Sequence, residues 1–241
     1  MYTNYIFDLY GTLADIHTNE NKPYLYKKIS ALYASYGAVY TPGEWKRQYA
    51  RLCEKHQKAS QNPHYEIQLL EVFEELFALK GITVSKDTLF AVANIFRVLS
   101  RDYMRLYDYV LPFLKHLKEK GKKIYLLSNA QACFTVPELK VLGIYDLFDG
   151  IVISSDAGVC KPDAEIMHKL VEKYHIDKSK SIMIGNDRTS DIQVAISSGM
   201  DSLYMHSNIS PQITEEYNQI KATYEVLDED FSKIDGLLIR P

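Results

Sequence analysis

The sequence predicts an α/β fold: a doubly wound parallel sheet interrupted by a helical insert. Three observations carry this expectation. From about residue 108 onward, short apolar runs alternate with helical stretches. One apolar run, Tyr5-Ile6-Phe7, stands apart near the start and leads into Asp8 and then Gly11. Between the two, residues 24 to about 107 show helical spacing and little strand signal. The expected organisation is a catalytic core of residues 1–16 and 108–241, with a helical unit of residues 17–107 inserted into it.

Taken in order, the first strand ends in a carboxylate at a tight turn, where Gly11 lets the backbone approach whatever Asp8 touches. Residues 16–23 are polar and read as a linker. Leu25, Ile29, Leu32, Tyr33 and Tyr36 recur at helical intervals until Gly37. Trp45, Tyr49, Leu52 and Cys53 mark a second helix. Ile67, Leu70, Phe73, Leu76 and Phe77 mark a third, closed by Gly81. Ser85 reads as the N-cap of a fourth. In the second half, Pro112 and Gly121 bracket a helix. Strands are expected at residues 123–127, 150–153, 181–184 and 202–205, with a short one near 224–226.

Composition narrows the function. The net charge is −3, without the basic face a nucleic-acid binder needs. No apolar run approaches the roughly 20 residues that cross a bilayer. Cys53, Cys133 and Cys160 are odd in number and widely spaced, which fits neither a disulfide framework nor a zinc site. A cytoplasmic protein without a signal peptide is expected. The sequence carries no sign of oligomeric state.

Four polar clusters stand at expected strand ends: Asp8, Ser128 with Asn129, Lys161, and Asp187 with Asp191. In a parallel sheet these ends point one way and converge on one pocket. A carboxylate, a hydroxyl, an ammonium and an acidic pair suit attack on an electrophile that bears negative charge. Asp8 is the candidate nucleophile, with Ser128 and Lys161 holding anionic oxygens. Asp8 and Asp187 offer oxygen ligands for a hard divalent cation such as Mg²⁺.

This arrangement resembles the haloacid dehalogenase superfamily, which has a Rossmann-like core and four motifs in this order. They are Asp8-Leu9-Tyr10-Gly11-Thr12, Leu127-Ser128-Asn129, Lys161-Pro162-Asp163, and Asn186-Asp187-Arg188-Thr189-Ser190-Asp191. The resemblance extends to residues 17–107, which match the helical cap these enzymes insert after the first motif. It implies that Asp8 forms a covalent aspartyl intermediate and that Thr12 orients it. Ser128 and the Asn129 backbone would bind the transferring group, and Lys161 would neutralise charge beside it. Mg²⁺ would be held by Asp8, the Tyr10 carbonyl and Asp187, with Asp191 holding a metal-bound water or Lys161.

The chain departs from the phosphatase pattern at Tyr10, where phosphatases of this superfamily carry a second Asp for proton transfer. A phenol with an ordinary pKa near 10 is a poor base at neutral pH. Dehalogenases carry Tyr there and grip the halide side of the substrate with a cap arginine, for which Arg47 and Arg51 are the candidates. Dehalogenases, however, need no metal, whereas Asp187 and Asp191 keep the acidic pair. The expectation is a Mg²⁺-dependent phosphatase acting on a small phosphorylated metabolite. The alternatives are a metal-independent 2-haloacid dehalogenase and a catalytically weak relative that binds a phosphorylated ligand. His17 is a further candidate for the proton transfer that Tyr10 lacks, against the plainer reading of a solvated linker histidine.

Overall fold

The computed structural model describes residues 2–228 and 230–238. In chain order it begins with β1 (Asn4–Phe7) and β2 (Ala14–Thr18). Four helices follow: α1 (Pro23–Ser35), α2 (Pro42–Gln57), α3 (Leu69–Ala78) and α4 (Lys86–Ser100). Next come β3 (Arg101–Leu106), α5 (Val110–Glu119), β4 (Lys123–Ser128), α6 (Ala132–Val141) and β5 (Gly150–Ile153). The rest is α7 (Ser154–Ala157), α8 (Ala164–Tyr174), β6 (Ser181–Gly185), α9 (Gln193–Ser197), β7 (Asp201–Met205), β8 (Tyr224–Val226) and α10 (Ser232–Leu238).

Six strands form one sheet in the order β5-β4-β1-β6-β7-β8, and every neighbouring pair is parallel. Alternation along the strands explains why helices cover both faces. Tyr5, Phe7, Ile124, Leu126, Ile182 and Ile184 join one buried cluster with Val110, Phe113 and Leu117 of α5. Ile6, Tyr125, Leu127 and Met183, one residue out of phase, join another with Ile166 and Leu170 of α8. A period of two with both phases apolar is the pattern of a sheet buried on both sides. The chain moves outward from β1 through β4 to β5, then returns to β6 on the other side. The carboxyl end of β1 therefore sits at the topological switch point, where ligands bind in such sheets.

Helices α1 to α4 bury a core of their own. Leu25, Tyr33, Trp45, Phe73, Phe77 and Phe96 are each fully buried there. Tyr33 stacks on Phe77 with ring centroids 3.9 Å apart. Phe134 and Cys133 of α6 belong to the same cluster, so this helical unit packs on α6. The Ser85 cap expected from the sequence holds in atomic detail, and the structure adds a second cap. Ser85 Oγ accepts the Thr88 N–H at 3.2 Å, and Thr41 with Glu44 closes a capping box at the start of α2.

The structure differs from the sequence reading at the junction. Residues 16–18 of the expected linker and residues 101–106 of the expected helical insert instead lie in an antiparallel two-stranded sheet, β2 with β3. Asp15 faces Arg105 across this ladder and is 1 % exposed. It accepts from Arg105 Nε at 3.0 Å and Nη2 at 2.9 Å, from Tyr103 Oη at 3.2 Å and from Asn208 Nδ2 at 3.1 Å. Burial raises its pKa, and the bonds from Asn208, Arg105 and Tyr103 more than offset that, leaving it below the usual carboxylate range. Its folded value thus lies under its unfolded value of about 3.9. The stability it contributes is complete above that value and is lost as pH falls through the folded one. The gap in Tm between the native protein and Asp15→Asn, followed by circular dichroism, is expected to narrow below about pH 4.

Candidate active site

The turn after β1 is locked by its backbone. Leu9 O accepts from the N–H groups of Leu13 at 2.8 Å and Ala14 at 2.9 Å, and Gly11 N–H reaches Ala14 O at 2.8 Å. Gly11 has φ +88°, and a Cβ there would lie 2.2 Å from Asn186 Nδ2. Only glycine meets both demands. Asp8, whose N–H bonds Ile184 O at 2.9 Å, is held at the mouth of this turn and is 7 % exposed.

Lys161 is the electrostatic centre. It is 3 % exposed, and its Nζ donates to Asp8 Oδ1 at 2.7 Å, Asp191 Oδ1 at 2.6 Å and Leu127 O at 2.8 Å. All three ammonium protons are therefore directed at acceptors. Asn129 positions it from behind: its Nδ2 donates to Lys161 O at 2.9 Å, and its Oδ1 accepts Lys161 N–H at 2.8 Å. Ser128, at the end of β4, is 1 % exposed, and its Oγ has no hydrogen-bond partner among the described residues. A buried hydroxyl left unpaired costs about 1–3 kcal/mol, so the position favours a ligand that pairs it.

The two acids of the last motif have separate roles. Asp191 Oδ1 pairs with Lys161, and its Oδ2 accepts Asp187 N–H at 3.0 Å. Burial pushes its carboxyl up, against the pull of Lys161. Burial alone would lower the Lys161 ammonium, but the charges of Asp191 and Asp8 reverse the shift and raise it. Gly185 makes room for this pair, because a Cβ there would lie 2.3 Å from Asp191 Cγ. Asp187 caps its own turn, accepting from Thr189 N–H at 2.9 Å, Thr189 Oγ1 at 2.7 Å and Ser190 Oγ at 3.0 Å. Thr12 Oγ1 lies 3.4 Å from Asp8 Oδ2 and 3.2 Å from Asn186 Oδ1. Asn186, not Asp187, is the side chain packed against the Asp8 turn.

Tyr10 turns toward α6. Its hydroxyl donates to Glu138 Oε2 at 2.5 Å and lies 3.2 Å from Thr135 Oγ1. Glu138 is 3 % exposed. It also accepts from Arg97 Nε at 2.8 Å and Arg101 Nη1 at 2.9 Å. The Arg97 guanidinium lies 5.5 Å from the centre of the Tyr10 ring. Burial, then the Glu138 charge, holds the Tyr10 phenol well above its ordinary pKa, with Arg97 acting the other way.

Asp8, Tyr10, Asn129, Lys161, Asp187 and Asp191 thus line one cavity of about 270 Å³, with Thr12 and Ser128 buried in the adjoining turn and strand end. Arg47 is not brought there. It lies exposed on α2, as does Arg51, and the arginine that reaches the Tyr10 ring is Arg97. His17 is likewise elsewhere, exposed and 2.7 Å from Asp102. Sequence reading missed Glu138, Arg97 and Arg101, because each sits in a segment where a charged residue reads as solvated surface.

The donor set suits a hard cation rather than a soft one. Asp8 and Asp187 are carboxylates on the same cavity, joined there by the Asn186 amide, while Lys161 is the cation among these lining residues. Asp191 is committed to Lys161 and the Asp187 backbone. Among the described residues no three His, Cys, Asp or Glu side chains converge as a metal cluster. An ion here would have few protein ligands and would keep several waters, as Mg²⁺ does.

A family model for haloacid dehalogenase-like hydrolases matches residues 2–199. The chain belongs to this family of hydrolases. Among its relatives, a glyceraldehyde 3-phosphate phosphatase of Methanothermobacter thermautotrophicus is 27 % identical over 122 residues, 51 % of this chain and 54 % of that protein. The pyrimidine 5'-nucleotidase PynA of Streptococcus pneumoniae is 29 % identical over 114 residues, 47 % of this chain and 46 % of that protein. The chain spans about half the length of the curated relatives it matches. Among solved structures, a 2-haloacid dehalogenase from Pseudomonas syringae superposes with a TM-score of 0.66 at 18 % identity, covering 99 % of this chain and 98 % of that one. The magnesium-bound YfnB of Bacillus subtilis gives 0.58 at 19 % identity, covering 98 % of both chains. At these identities the two structures establish the hydrolase fold. No helix among the described residues is long and apolar enough to cross a membrane.

Proposed function

We propose that this hydrolase is a Mg²⁺-dependent phosphatase that acts on a small phosphorylated metabolite through an aspartyl-phosphate intermediate. The observation that carries the reading is the buried Asp8–Lys161–Asp191 arrangement at the switch point of the sheet. Asp8 Oδ1 is held by Lys161, while among the described residues the hydrogen bond recorded for Oδ2 is the long one from Thr12. Oδ2 is therefore the oxygen available for attack on phosphorus. Lys161 offsets the negative charge brought in by the phosphoryl group, and Ser128 Oγ supplies a donor to one of its oxygens. A Mg²⁺ ion held by Asp8, the Tyr10 carbonyl and Asp187 would neutralise further phosphoryl charge. Relatives named as a glyceraldehyde 3-phosphate phosphatase and a pyrimidine 5'-nucleotidase support the substrate class. Residues 17–107, with their own core and the β2–β3 connection, are proposed to act as a cap that shields the site from water. Phosphate release from an aryl phosphate is expected with Mg²⁺ and is expected to stop on adding a chelator. Release unaffected by the chelator would reject the metal requirement.

Tyr10 favours a second reading, hydrolytic removal of halide from a small 2-haloacid without metal. Arg97, placed over the Tyr10 ring, would be its cap arginine. Chloride release from a 2-chloroacid in the presence of chelator would select this reading.

A further inference from the structure

A phosphatase acting on an alkyl phosphate must protonate the departing alkoxide, and general acids contribute about 10²–10⁴-fold to such steps. The geometry of this site leaves that task without a residue. The Tyr10 hydroxyl has one proton, directed at Glu138 Oε2 2.5 Å away. Glu138 is itself fixed by Arg97 and Arg101, so the whole group is tied to α4 and β3. Apart from the Ser128 hydroxyl, assigned above to a phosphoryl oxygen, the side-chain donors named below are also directed at protein acceptors. Lys161 donates to three oxygens. Asn129 Nδ2 donates to Lys161 O and Ser190 Oγ to Asp187. Asp187 and Asp191 accept hydrogen bonds on both of their carboxylate oxygens. His17 is paired with Asp102 away from this cavity.

We infer that the site takes phosphoryl donors whose leaving group departs as a weakly basic anion, such as acyl phosphates, phosphoanhydrides or aryl phosphates, in preference to alkyl phosphates. The inference rests on the phosphoryl-transfer reading above. In the first step Asp8 Oδ2 bonds to phosphorus, the bond from phosphorus to the leaving oxygen breaks, and its electron pair leaves on that oxygen without a proton. In the second, water attacks the same phosphorus and the Asp8–phosphorus bond breaks. The products are the Asp8 carboxylate and dihydrogen phosphate, so the water's protons end on phosphate. Glu138 acts here as a positioning residue, keeping Tyr10 out of proton transfer.

The test is a leaving-group series at fixed Mg²⁺: acetyl phosphate, pyrophosphate, 4-nitrophenyl phosphate, phenyl phosphate and glycerol phosphate, with native protein and with Tyr10→Phe. We expect kcat/KM to fall steeply as the leaving group becomes more basic, with glycerol phosphate at least about 10²-fold below 4-nitrophenyl phosphate. The acyl and anhydride arms identify which natural source fits. Tyr10→Phe is expected to shift the phosphate esters by one common factor. A flat series, or a loss in Tyr10→Phe confined to phenyl and glycerol phosphate, would overturn the inference by revealing a working acid. If no compound released phosphate above an Asp8→Asn control, the phosphatase reading itself would fall, and this inference with it.

Discussion

Replacing Asp8 by Asn is expected to lower phosphate release by at least about 10⁴-fold, the scale seen when a covalent nucleophile is removed. Asn keeps the size of Asp and can still face Lys161, so the fold survives. On the proposed reading, what is lost is the anionic oxygen that attacks phosphorus and forms the acyl phosphate. On the same reading the loss should appear in kcat, because Lys161 still offsets phosphoryl charge and Ser128 still offers a donor. The checking measurement is a steady-state assay beside mass spectrometry after rapid quench. The native protein should gain a phosphate-sized adduct that Asp8→Asn lacks. A variant retaining a tenth of the native rate would remove Asp8 from the role of nucleophile.

The second large effect is expected at Lys161. Lys161→Met removes the ammonium and leaves the Asp8 and Asp191 carboxylates buried without their shared partner. Removing one side of a buried ion pair typically costs about 3–5 kcal/mol. For a chain of this size that is a drop in Tm of roughly 10 °C. The sign of the pH dependence follows from the remaining acids. Burial already raises the Asp191 carboxyl, and loss of the opposing Lys161 charge raises it further above its unfolded value. Protonation of Asp191 then relieves the buried charge, so the deficit is largest at neutral and alkaline pH and narrows as the solution becomes acidic. Thermal unfolding of both proteins across that range is the check. Equal Tm values at neutral pH would mean that the pair is not buried as the structure has it.

Much of the site was legible because several of its residues follow an apolar run, whereas Lys161 lies past β5 and α7 and was read from its Lys-Pro pattern. Asp8 after Tyr5-Ile6-Phe7, Ser128 after a five-residue strand pattern, and Asp187 with Asp191 after Ile182-Met183-Ile184 all stand where a buried strand surfaces. The two-stranded sheet was not legible. Its strands are largely exposed, so they lack apolar alternation, and Asp15 lies 90 residues from its partner Arg105. Glu138 was hidden for a similar reason. It pairs with Tyr10 across 128 positions and with Arg97 across 41, and no local pattern encodes either contact.

The sequence by itself determined the fold class, the family motifs and the strand ends that carry the reacting groups, because burial periodicity and turn chemistry are local. Only the tertiary structure decided how those groups divide the work. It set Asp191 on Lys161, Asp187 on its own turn, Asn186 against Gly11 and Tyr10 on Glu138. Such pairings depend on which distant segments the sheet and helices bring within hydrogen-bond reach, and a charge has no sequence signature of its partner until the chain has folded around it.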